Sequence, residues 1–402
     1  MVLGVGGSTF EAELAAMTPM TGGATPIGQA ELVRRVEQAQ RLLRAQGIEA
    51  LYLDTSTSLR YFAGIALNLT ERLHGAVIPA EGEIAYLSPA FEEPKTRTLL
   101  HHGDDVRVWE EHEDPTALVI DTVRSKGYAS GTIAIDPATP FHTVDGLRRA
   151  GNSFGFSNGA SVTAACRQVK SPAEIALMQV AMDITLAVHR AAARALRPGM
   201  TTTEVQNFLD QAHRKLGGVP ASRAVQFGEA TAYPHGVPYP QTLREGDMVL
   251  IDTGCFVEGY RSDITRTYVL GEPTARQREI WNLEKRAQQA AFDAAVLGAP
   301  CEAVDAAARQ VIADAGFGPG YAVPGLPHRT GHGIGLDVHE EAYLVRGNRT
   351  PLVPGMCFSD EPMICIYGEF GVRLEDAIYM TEEGAHWFTE PCRSADDPFG
   401  VG

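Results

Sequence analysis

Cysteine is scarce in this chain and follows no pattern. Its six thiols (Cys166, Cys255, Cys301, Cys357, Cys365 and Cys392) include no C-x-x-C pair and fall in apolar or mixed segments, so they read as reduced thiols, not as a disulfide framework. Long hydrophobic runs are missing too. No window approaches the roughly 18 apolar residues needed to span a bilayer, and the N-terminus has no basic stretch leading into an apolar core. Positive charge is in deficit, with 34 Lys and Arg against 50 Asp and Glu and a formal net charge of −16. Nucleic acid and anionic membrane would be repelled, so neither is expected as a partner. On these absences a cytoplasmic location is expected.

What is present fits a globular protein, with 44% apolar and 21% charged residues in 402. That length exceeds one ordinary core and predicts two domains. Residues 1–28 are rich in Gly, Thr and Pro and are expected to form a flexible, poorly packed arm. Over 29–165 a helix from Gln29 to Gln46 is followed by strands at IEALYLDT, LRYFAGI, HGAVIPA, EIAYLS, VRVW and TIAID, with a helix at Pro115–Ser125 between the later ones. The alternation predicts an α/β domain with a partly parallel sheet. A capping box at Ser171–Glu174, with Pro172 in the first turn, opens a second domain over 166–402, and Thr201–Glu204 repeats the device.

The chemistry gathers around MVLIDTGCFVEGYRSDITRT, residues 248–267. Apolar and β-branched residues fill two arms around Glu258-Gly259, which predicts a hairpin. In that register Asp263 faces Gly254, Thr265 faces Asp252, and the two aspartates are diagonal same-face neighbours about 7 to 8 Å apart at the backbone. Two acids this close in an apolar setting need a counter-charge, and a metal ion is the natural one. Glu361 and Glu375 lie symmetrically about Gly368, so a second hairpin turning there sets them opposite each other. His332, between Gly331 and Gly333, adds an imidazole from backbone able to approach closely. Four carboxylates and one histidine suit two divalent ions of the Mn²⁺ type, with Co²⁺, Zn²⁺ or Fe²⁺ as alternatives.

In the segments D-T-G, S-D-I-T-R-T, G-H-G-I-G, S-D-E-P and G-V-R-L-E-D, these five residues resemble the dimetal ligands of the pita-bread metallopeptidases, and within them the Xaa-Pro dipeptidases (prolidases) and Xaa-Pro aminopeptidases. The resemblance is strong in the C-terminal half and weak in the N-terminal half. It implies an α+β protein, a pita-bread catalytic domain behind a smaller creatinase-like α/β domain, assembled as a homodimer. It further implies hydrolysis of an Xaa-Pro dipeptide by a hydroxide shared between the ions, with Glu361 moving its proton. His235, His328 and His339 match the family's substrate and transition-state histidines. Arg373, on the same strand face as Glu375, is expected to buttress the carboxylates, a substrate-carboxylate role being the alternative. Thr265 is expected to orient Asp252.

Overall length and the short Glu361–Glu375 spacing favour a dipeptidase over an aminopeptidase acting on longer peptides. Creatinase-like hydrolases and sulfonium lyases share this fold, as do non-catalytic peptide-binding modules. The complete ligand set argues against the metal-free and non-catalytic members.

Overall fold

In the computed structural model, which describes residues 5–400, the chain begins with α1 (Phe10–Ala16), opened by the Thr9 hydroxyl accepting from Ala12 N at 3.1 Å. The expectation of a poorly packed arm is corrected here for the described residues. Val5 is 4% exposed, the Phe10 ring stacks on Phe208 at 4.3 Å, and Glu13 pairs with Arg194 at 2.6 Å. One aromatic and one acid suffice to dock a segment whose composition otherwise suggests a loop.

Ile27–Arg167 make one compact unit, and the residues before and after it make the other. The first holds α2 (Gln29–Gln46), β1 (Ala50–Asp54), α3 (Thr57–Ala63), β2 (Gly75–Pro79), β3 (Ala85–Pro89), α4 (Glu93–Leu99), β4 (Asp105–Trp109), α5 (Pro115–Ser125), β5 (Gly131–Ile135), α6 (Phe141–Ala150), β6 (Phe154–Asn158) and α7 (Ala160–Arg167). Its sheet runs β4-β3-β2-β1-β5-β6. The pairs β1–β5, β5–β6 and β3–β4 are parallel, and β1–β2 and β2–β3 are antiparallel. LRYFAGI, expected as a strand, is the helix α3. The Ser56 hydroxyl caps Leu59 N at 3.1 Å and Gly64 ends the helix in the left-handed region, so the two caps override the apolar run.

The second unit continues with α8 (Pro172–Ala195) and α9 (Thr202–Leu216), both opened by complete capping boxes. By length and composition α8 is apolar enough to cross a membrane, contrary to the expectation of no such window. Its mean hydropathy is 1.2, yet 61% of that window is buried within the protein, so its apolar face is spent on the core. Strands β7 (Val219–Phe227), β8 (Met248–Val257), β9 (Tyr260–Arg261) and β10 (Ile264–Val269) follow, then α10 (Ala275–Ala294) and α11 (Cys301–Asp314). The chain finishes with β11 (Gly331–Gly333), β12 (Glu340–Leu344), β13 (Cys357–Asp360), β14 (Met363–Ile366), β15 (Phe370–Arg373), β16 (Asp376–Thr381) and β17 (Gly384–Trp387).

These strands form sheets ordered β10-β8-β7, β12-β11-β13-β16-β17 and β14-β15, and a bridge between Thr265 and Glu375 ties the first to the second. Helix α10 is fixed to β10 by the Trp281 indole donating to Thr267 O at 2.8 Å. The core includes Trp281, Phe358, Ile364 and Val372, all 2% exposed or less.

Candidate metal centre

The β8–β10 hairpin turns at Glu258 and Gly259, with φ of 49° and 88°, the geometry of a tight hairpin turn. Thr265 sits opposite Asp252 and Ile264 opposite Thr253, which leaves Asp252 and Asp263 on one face of the sheet. In the other hairpin Met363 pairs with Arg373, and further out Asp360 pairs with Asp376. Between these pairs the ladder opens. Glu375 N donates to Thr265 O at 3.1 Å and Glu361 N to Thr330 O at 2.8 Å, so the two glutamates stay opposed while their backbones bond elsewhere. The glycines beside His332 serve its neighbours, since a Cβ on Gly331 would lie 2.0 Å from Ser359 O and one on Gly333 2.6 Å from Glu340 O. They let β13 and β12 close around the imidazole.

Nine of the ten nominated side chains line a single cavity of about 500 Å³: Asp252, Asp263, His332, Glu361, Glu375, His235, His328, His339 and Arg373. Thr265 lies behind it, fully buried. A second cavity of about 460 Å³ along α11 contains none of the ten. Asp263, His332 and Glu375 each offer a donor atom within 4.8 Å of the other two. The imidazole of His332 places Nε2 3.1 Å from Glu361 Oε1. Its Nδ1 lies 3.0 Å from Gly333 O, and a carbonyl only accepts, so the proton sits on Nδ1 and Nε2 is the nitrogen turned to the acids.

Electrostatically the acids are under-compensated. Burial, then the charges of Asp252 and Glu361, hold Asp263 above the usual carboxylate range. Glu375 is raised by burial and by Asp263, Glu361 and Asp252. Burial would raise Glu361 too, but His332, with His328 and Arg373 behind it, holds it low instead. Burial opposes charge on His332, yet Glu361 beside it raises its pKa overall.

A family model for the metallopeptidases called M24 matches residues 176–382, more than half of the chain. The chain belongs to metallopeptidase family M24. A creatinase/prolidase N-terminal domain matches residues 35–169 of this M24 peptidase. It is 35% identical over 362 residues to the probable dipeptidase PepE of Mycobacterium tuberculosis, covering 88% of this chain and 92% of the relative. Identity to the Xaa-Pro dipeptidase of Lactobacillus delbrueckii subsp. lactis is 32% over 360 residues, covering 88% and 96%. The crystal structure of dipeptidase PepE from Mycobacterium ulcerans superposes with a TM-score of 0.83 at 34% identity, covering 91% of this chain and 97% of that one. The fold is the two-domain, pita-bread arrangement.

The donor set of this M24 peptidase fits divalent cations. Asp252 Oδ1 and Glu375 Oε1 are buried without a hydrogen-bond partner, while the second oxygen of each is held, Asp252 Oδ2 by Arg373 Nη2 at 2.6 Å and Glu375 Oε2 by the Thr265 hydroxyl at 2.5 Å. One oxygen anchored and one bare leaves each carboxylate oriented with an oxygen free to ligate a cation. Two expectations are refined by these bonds. Thr265 faces Asp252 in the register but orients Glu375, because the Thr265–Glu375 bridge brings that carboxylate over its hydroxyl. Arg373 buttresses Asp252 across the site, and donates also to Thr265 Oγ1 at 3.1 Å and to Pro234 O at 3.0 Å, next to His235.

Sequence reasoning missed several supports. Arg266, fully buried, donates to Glu375 O at 2.9 Å and to Asp376 at 2.6 Å, fixing the backbone behind Glu375. Asp305 accepts from the Thr330 hydroxyl at 2.8 Å, and Arg309, bonded to Asp305, also reaches His328 O. The i,i+4 spacing of Asp305 and Arg309 was the available signal. Arg261 and Arg329 line the cavity as well.

Proposed function

We propose that this M24 peptidase hydrolyses Xaa-Pro dipeptides with two divalent ions, Mn²⁺ being the expected metal, held by Asp252, Asp263, His332, Glu361 and Glu375. The observation that carries the reading is the convergence of four acids and one imidazole in a cavity of about 500 Å³, large enough for a dipeptide, with bare oxygens on Asp252 and Glu375. The Lactobacillus relative supplies the substrate class by its name. Bound ions would polarise the scissile carbonyl and acidify a water.

The chain's own residues do the rest. One Glu361 oxygen accepts from the Ser359 hydroxyl at 3.1 Å, leaving the other to take up and return a proton. His328 donates Nδ1–H to Arg329 O at 2.7 Å, and burial lowers its pKa, so neutral Nε2 can accept from substrate. His339 is pushed down to about 4 by burial and by neighbouring His332 and Arg329, so it stays neutral and offers one N–H. With His235 it would donate to the developing oxyanion or to the leaving nitrogen, a contribution of about 2.7 to 4 kcal/mol per well-placed donor. Six buried, unpaired cysteines support a reducing, cytoplasmic location, and the family resemblance supports a homodimer, which light scattering would test.

The deciding experiment offers Ala-Pro and Gly-Pro-Ala to chelated protein resupplied with Mn²⁺. Cleavage of Ala-Pro alone is expected. Cleavage of the tripeptide would make it an aminopeptidase, and cleavage of neither would remove the assignment. Asp263→Asn should be almost inactive and metal-depleted by elemental analysis.

A further inference from the structure

His339 forms no hydrogen bond of its own among the described residues, and its exposed ring only stands edge-on to His332, with centroids 4.4 Å apart. Its position therefore depends on the loop that carries it, Ile334 to His339, between β11 and β12. That loop is wrapped around the carboxylate of the next residue, Glu340. Glu340 Oε1 accepts from Asp337 N at 3.0 Å, Gly335 N donates to Asp337 O at 3.1 Å, and Arg261 N donates to Gly335 O at 2.8 Å. The other Glu340 oxygen lies 3.1 Å from Lys170 Nζ, with the two side chains 5% and 1% exposed. This is a charge contact by distance, without the alignment of a hydrogen bond. The packing is tight, since a Cβ on Gly335 would come within 2.9 Å of both Glu340 Oε2 and Lys170 Cε. Lys170 is itself anchored, its N donating to Gly355 O at 2.8 Å.

We propose that Lys170, through Glu340, is a positioning residue for His339, so that the buried ion pair sets catalytic rate and not only stability. The inference rests on the reading of His339 as a group that touches substrate. A buried carboxylate stripped of its cation must shift or take up a proton, and either change lets the loop relax. A displacement of about 1 Å at a catalytic group is enough to cost on the order of a hundredfold in rate.

The test compares Lys170→Met, Lys170→Arg and the charge-neutral pair Lys170→Met with Glu340→Gln, each with His339 intact and with His339→Ala, using Ala-Pro and Mn²⁺-loaded full-length protein. Lys170→Met should lower kcat at least about tenfold with metal content unchanged, Lys170→Arg should recover most of it, and the loss should vanish in the His339→Ala background because both changes disable one function. The neutral pair leaves no bare charge but also removes the contact that holds the loop to Lys170, so it too should lower kcat, and it supplies the readout should Lys170→Met fail to fold. A full Lys170 penalty persisting without His339, or a normal kcat in Lys170→Met and in the neutral pair, overturns the inference while leaving the peptidase reading intact. A normal kcat in His339→Ala alone would overturn both the role given to that histidine and this inference.

Discussion

Arg373 and Asp252 meet across two separate hairpins, Nη2 to Oδ2 at 2.6 Å, with the arginine side chain 4% exposed and the aspartate 23%. The same guanidinium reaches Thr265, which in turn holds Glu375, so one cation aligns carboxylates from both pairs. Replacing Arg373 by Met should therefore weaken metal binding about 10- to 100-fold, the usual cost of losing a residue that orients a ligand. Competitive metal titration checks this; unchanged affinity would show that Asp252 needs no such partner.

The Thr265 hydroxyl sits in the same chain of bonds, fully buried. Thr265→Val leaves Arg373 Nε and Glu375 Oε2 each short of a partner and should cost about 1 to 3 kcal/mol in denaturant unfolding of the metal-free protein. Thr265→Ser, which keeps the hydroxyl, should lose much less. Equal losses in the two variants would assign the effect to packing around the methyl group.

Metal removal should also destabilise the fold. Asp263 and Glu375 are already pressed above their ordinary pKa by burial and by neighbouring acids, so divalent charge relieves a repulsion built into the native state. At a free ion concentration 100 times Kd the stabilisation is about 2.7 kcal/mol for each ion bound. Calorimetry of chelated and Mn²⁺-resupplied protein should show a lower and then a restored Tm. An identical Tm after verified removal would contradict the ligand set.

Two histidines away from the cavity should govern part of the acid sensitivity. Burial, and then the charge of Arg266, pushes His189 down to about 3, and burial pushes His213 down to about 4. The unfolded chain takes up a proton at each near pH 6.5 while the folded chain does not, so stability falls as pH drops through 6.5 and goes on falling towards the folded values. Each contributes about 2 kcal/mol of loss by pH 5. The stability gap between the native sequence and His213→Gln should narrow by about that amount from pH 7 to pH 5, and a constant gap would show that His213 does not stay neutral.

The local devices were legible without coordinates. Ser171, Thr201 and their glutamates announce helices because a capping box is complete within four residues. The register of both hairpins follows from side-chain alternation and from where the turn residues stand, which is why Thr265 faces Asp252 and Glu361 opposes Glu375. By contrast, LRYFAGI has an apolar pattern that either a strand or a helix can carry, and only its packed and capped surroundings chose the helix.

By itself, then, the sequence determined which acids share a face and that an oxygen-rich pair of hairpins needed positive charge, since alternation and turn geometry act over a few residues. Tertiary structure alone decided which hydroxyl holds which carboxylate, that Arg266 and Arg309 brace the backbone behind the site, that Phe10 docks on Phe208, and that the loop of His339 closes on Lys170. Those contacts join residues up to about 200 positions apart, and a hydrogen bond or a stacked ring is chosen by whichever partner the folded backbone brings within about 3 to 5 Å, which no short-range pattern encodes.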